Sequence, residues 1–131
     1  MDLKFVKRLI GLYLIAVGAS IIAVWIIFFS INFIPRLNMD TSTLVTHVIA
    51  EVLAGILAIT GGILTLLRKR YALAFSFLGE GALFYAILNI IGYYMKLKIV
   101  WLTAILIPTL VLHTAVILVS LIVLNVSVVP K

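Results

Sequence analysis

The chain has 131 residues, 66% hydrophobic and 11% charged, whereas soluble domains lie near roughly 45–50% apolar and about 25% charged. Four runs with at most one charge each (9–35, 44–67, 71–95 and 99–130) can cross a hydrocarbon core that needs about 20 residues, leaving no room for a soluble domain. With no cysteine, disulfides, thiol redox chemistry and thiolate metal sites are excluded, and the net charge of +6 follows no nucleic-acid-binding pattern.

The first helix is expected to start near Phe5 and to run to Phe33, where Pro35 stops it, with its apolar span at 9–34. Lys4, Lys7 and Arg8 resemble the start of a signal peptide. The apolar stretch behind them is about twice the length of a signal core and has no small-residue cleavage site, so it is expected to stay. Ala16, Ser20, Ala23 and Ile27 form a narrow small-residue stripe, and Trp25, Phe28 and Phe29 lie on bulkier faces. The loop at 35–43 holds turn residues (Pro35, Asn38, Asp40, Ser42). Asp40, Ser42 or Thr43 can cap the next helix.

The second span, 44–67, has a small and polar face of His47, Ala50, Glu51, Ala54, Gly55, Ala58, Gly61 and Gly62. In water the bulky opposite face would turn to the core. In a bilayer this inverts, because lipid is as apolar as leucine and helices gain most where small residues let backbones approach. Ala50, Ala54, Ala58 and Gly62 therefore read as a helix-packing row.

A tight basic turn at 68–71 makes the third span, 71–95, an antiparallel neighbour of the second. Its small face is Ala72, Ser76, Gly79, Glu80, Ala82, Ala86 and Asn89. Gly79 and Gly81 flank a buried acid and suit a site or a close backbone approach. Tyr93, Tyr94 and Trp101 form an interfacial belt. The fourth span, 100–125, carries Pro108, which removes one backbone hydrogen bond and bends the helix. Thr109, His113 and Ser120 share a face beyond it.

Four spans put both termini on one side, with Lys4, Lys7, Arg8, Arg68, Lys69, Arg70 and Lys131. The other side has Arg36, Lys96 and Lys98. The positive-inside rule then makes the termini cytoplasmic. Arg68, Lys69 and Arg70 serve as a topology anchor or attract anionic headgroups. The expectation is one all-α domain over 1–131: an integral-membrane four-helix bundle, antiparallel and up-down-up-down, in the cell membrane with N and C termini inside.

Ionisable groups at membrane depth are costly and mark candidate sites. A helical rise of about 1.5 Å per residue puts Glu80, His113 and Ser20 in a middle layer and Glu51 and Asn89 in an outer one, with His47 a turn above Glu51. Glu80 with His113 forms a first candidate pair, a proton relay. The two side chains lean in opposite senses, so a bridging water is expected between them. His47, Glu51 and Asn89, with Tyr85 a turn below, form a second constellation. Its simplest reading is interhelical hydrogen bonding. His47 and Glu51 are also weak metal candidates, but a catalytic zinc needs three protein ligands. Bis-histidine haem is disfavoured by a depth difference of roughly 13 Å between His47 and His113.

The layout is that of many small four-span membrane proteins, without the signatures of fluoride channels, small multidrug exporters or membrane glutathione transferases. No catalytic residues are assigned and no cofactor is expected, although haem and metal stay open. The leading function is a transporter or conduit for a proton-linked or polar small solute, acting as a homo-oligomer. The alternatives are a non-transporting accessory or scaffold subunit of a membrane complex, and a redox, metal- or haem-binding membrane protein. Partners are the lipid bilayer and further copies or a complex subunit, with no nucleic acid.

Overall fold

The computed structural model describes residues 2–37 and 39–125. Asn38, Pro130 and Lys131, used above for the loop, the last run and the charge balance, lie outside the described residues. Four helices follow one another: α1 at Leu3–Ser30, α2 at Thr41–Leu66, α3 at Ala72–Lys96 and α4 at Val100–Asn125. All four are long and apolar enough to cross a membrane.

Local chemistry sets the ends. The Asp2 carboxylate accepts from the Lys4 amide at 2.9 Å, so α1 begins earlier than its apolar run. The first three helices each end on a residue with left-handed backbone: Asn32, Arg68 and Lys98. The next amide then turns back to the helix, as in Phe33 N–H to Phe28 O and Lys69 N–H to Leu64 O. The stop for α1 is therefore Asn32 and not Pro35, which lies in a 3-10 turn at Ile34–Leu37. Asp40 caps α2, accepting from both the amide and the hydroxyl of Thr43.

Glycine sets the register of the centre. A methyl group on Gly62 would lie 2.5 Å from Gly11 O, and one on Gly18 would lie 2.6 Å from Gly55 O. Gly11 thus meets Gly62 while Gly18 meets Gly55, so α1 and α2 run in opposite senses. On the other side of α2, Ala58 meets Gly79 and Gly61 meets Ser76. The small face of α2 is two adjacent edges: Gly55 and Gly62 admit α1, and Ala58 and Gly61 admit α3. With α4 packed on α3 and touching α1, an apolar core forms around Leu14, Ala54, Ala58 and Leu83.

Two expected packing positions are corrected. At about 100° per residue, the buried positions of α2 span roughly 120° centred on Ala58, and Ala50 falls about 80° from that centre. Ala50 is accordingly exposed. Gly81 sits on the far side of α3, with no atom within 4 Å of where a methyl group would stand. The α1 stripe of Ala16, Ser20, Ala23 and Ile27 also faces outward, and the Ser20 hydroxyl donates to Ala16 O in its own helix. The inward face of α1 is Gly11, Leu14, Gly18 and Trp25.

Candidate functional site

The bundle buries Glu51, Glu80 and His113 while leaving many large aliphatic side chains exposed. Glu80 and His113 are 0% exposed and Glu51 is 5% exposed, while Ile26, Ile49, Leu78 and Ile122 each keep more than half of their surface open. That arrangement suits a surrounding that is itself apolar.

The middle layer joins α1, α3 and α4. Nε2 of His113 lies 2.9 Å from the Glu80 carbonyl oxygen. A carbonyl only accepts, so Nε2 carries the hydrogen. In the neutral ring Nδ1 then accepts from the Tyr13 hydroxyl at 2.8 Å, and the two rings stack with centroids 5.8 Å apart. The Glu80 carboxylate turns elsewhere: Ser120 Oγ donates to its Oε1 at 2.6 Å. Its Oε2 is buried and has no hydrogen-bond partner among the described residues.

The expected pairing of Glu80 with His113 is thus made through the Glu80 backbone, and the carboxylate and imidazole do not bond directly. The lean of side chains toward their own helix N-terminus explains this. Glu80 leans toward the Ala72 end, where Ser120, two turns beyond His113 on the same face of α4, waits for it. Tyr13, which no pattern in the sequence singled out, completes the chain.

The second cluster lies about 9 Å along the axis, with Ala54 and Leu83 at the level between. Nε1 of Trp25 donates to Glu51 Oε2 at 2.6 Å, and His47 Nδ1 is 3.6 Å from Oε1. Both residues line a cleft of about 40 Å³ together with Trp25, Tyr93 and Tyr94, room for one or a few waters. The Tyr93 hydroxyl donates to Leu37 O, which ties the 3-10 turn over this end. Asn89 and Tyr85, expected here, are exposed. They lie roughly 120° and 160° from the centre of the buried face of α3, so neither reaches Glu51. The partner of Glu51 is Trp25, whose bulk disguised its role as a buried donor.

A third polar contact, Thr65 Oγ1 with Ser76 Oγ at 2.9 Å, ties α2 to α3 near their connecting turn. Among the described residues no three His, Asp or Glu side chains converge as metal ligands.

Fold and site together define a class: an all-helical protein with four membrane-length helices and a Tyr–His–Glu–Ser network in which half-buried Tyr13 leads to buried His113, Glu80 and Ser120. Within that class the chain belongs to the family described as Domain of unknown function (DUF8058), whose model matches residues 4–128. No curated protein and no solved structure matches it.

Proposed function

We propose that the protein crosses the cell membrane four times, up-down-up-down with both termini in the cytoplasm, and carries protons or a proton-linked polar solute across it. Glu80 is the exchanging acid, and Tyr13, His113 and Ser120 hold it in place. The observation that carries this reading is the buried Oε2 of Glu80, which has no hydrogen-bond partner among the described residues. A carboxylate kept only to glue helices gains by engaging both oxygens, because a buried polar atom left unpaired costs about 1–3 kcal/mol. One left open at the centre of a bundle is available to a proton or a solute donor. Ala54 and Leu83 separate it from Glu51, so passage requires the bundle to open alternately toward each side. His47 and Glu51, in their small cleft, form the outer station.

The test is proton flux in liposomes with an entrapped pH dye. Glu80→Gln keeps an acceptor for Ser120 but cannot exchange a proton, and flux is expected to fall about tenfold or more with the thermal transition little changed. Flux that survives both Glu80→Gln and Glu51→Gln overturns the reading.

One observation favours the scaffold alternative. Asn89 is exposed on the outward face of α3 between Gly81 and Gly92, and a methyl group added to either glycine would meet no atom within 4 Å. Small and polar residues together are what membrane helices use to associate. Co-purification with a second membrane protein in fixed ratio, without flux, supports the scaffold reading.

A further inference from the structure

The geometry points to a binding site for an anionic phospholipid at the end of the bundle where α1 begins and α2 turns into α3. Two segments far apart in the chain meet there. Lys4, Lys7 and Arg8 come from the first turns of α1, and Arg68, Lys69 and Arg70 from the α2–α3 turn. Together they line one cleft of about 970 Å³.

Among the described residues the charge in this cleft is not neutralised internally. None of the six cations forms an ion pair with a carboxylate among the described residues, where His47 with Glu51 is the one such contact. Asp2, the acid in the lining, is turned to its own helix and accepts from the Lys4 amide. Arg70 rests over the Tyr71 ring at 5.4 Å, a cation–π contact that leaves its charge uncompensated by any carboxylate among the described residues.

The rest of the lining decides what kind of anion fits. Leu3, Phe5, Leu66 and Leu73 share the cleft with the cations, and Leu3 and Phe5 are 44% and 57% exposed. A soluble phosphate has no use for that apolar wall. A phospholipid has: its phosphate meets the two basic segments and its acyl chain lies along the leucines and Phe5. The cleft also sits at the ends of membrane-length helices, where headgroups lie. A topology anchor needs only the charges; it does not need two distant segments to build a cleft with an apolar side.

The experiment is native mass spectrometry of the intact protein in mild detergent, titrated with phosphatidylglycerol, phosphatidylcholine or inorganic phosphate. Phosphatidylglycerol is expected to bind about tenfold tighter than phosphatidylcholine. Arg68→Gln/Lys69→Gln/Arg70→Gln and Lys4→Gln/Lys7→Gln/Arg8→Gln attack the two walls separately. Each is expected to abolish the preference, and the second set keeps the test open should the first misfold. Lys96→Gln/Lys98→Gln, at the opposite end, is expected to leave it unchanged. Equal binding of the two lipids by the native chain overturns the proposal. So does an equal loss in all three variants, or complete competition by millimolar inorganic phosphate.

Discussion

Glu51 illustrates how one donor decides the fate of a buried acid. The residue is 5% exposed and the closest partner of its carboxylate is the Trp25 indole at 2.6 Å. Trp25→Phe keeps most of the ring volume and removes the N–H, so it isolates that bond. The expected cost is about 1–2 kcal/mol, between the value for a hydrogen bond to a charged group and the smaller mean found between membrane helices. Denaturation in mixed detergent reads it. Glu51→Gln retains an acceptor oxygen and is expected to cost less than Trp25→Phe. Asn89→Leu is expected to change monomer stability by less than about 0.5 kcal/mol, because its side chain is exposed on the outer face of α3. A loss comparable with that of Trp25→Phe would put Asn89 back beside Glu51 and contradict the observed face.

At the scale of the element, glycines separate into those that admit a neighbouring helix and those that do not. Gly18→Val drives a side chain into Gly55 O and Ile59 and is expected to cost about 1–3 kcal/mol by overpacking. Gly81→Ala meets open space and is expected to stabilise α3 by about 0.5–1 kcal/mol through helix propensity. Thermal or detergent titration of the two variants should therefore move in opposite directions. The cap of α2 has its own signature. The Thr43 hydroxyl and amide hold the Asp40 carboxyl below the ordinary aspartate range. A depressed folded pKa gives stability that is present above the unfolded value, near about 3.9, and is lost as pH falls through the folded value. Protection against amide exchange at the start of α2, taken relative to the intrinsic rate at each pH, is expected to fall only in that acid range, and Asp40→Asn, which still caps, should remove this pH dependence.

These same elements show how far the sequence could be read. Long apolar runs located four helices to within a few residues, and the inward turn of Glu51, Glu80, Ala54, Ala58 and Gly62 followed from the inversion a bilayer imposes. What sequence could not supply was the rotation of each helix about its axis. A small-residue row repeating every four positions drifts by about 40° per step, so Ala50 leaves the interface that Ala54 and Ala58 occupy. The α1 row at Ala16 and Ser20 was more conspicuous than the seven-residue spacing of Gly11, Gly18 and Trp25. Tyr13 and Trp25 were hidden for another reason. Each presents an apolar body with a single polar tip, and only the position of a distant acceptor, His113 or Glu51, shows that the tip is used.

For the whole molecule, the orientation in the membrane governs every functional statement, and the chain is suited to measuring it. In the proposed topology seven basic residues on one side oppose three on the other, which favours a cytoplasmic position for the basic cleft and both termini. The Glu51 cleft, roofed by Leu37 and Tyr93, then opens toward the outside, and Glu80 stands nearer the inner face. Because the native chain has no cysteine, a single one can be introduced without background. Ser42→Cys, exposed at the start of α2, is expected to react with a membrane-impermeant maleimide on intact cells. Lys69→Cys, exposed in the α2–α3 turn, is expected to react only after permeabilisation. The reverse pattern would invert the outer and inner stations, and would turn the basic cleft away from the cytoplasmic leaflet where anionic headgroups are concentrated. A mixed pattern, with each position half accessible, would mean that the charge difference is too small to select one orientation, and a carrier with a defined direction would then have to be abandoned in favour of a dual-topology assembly.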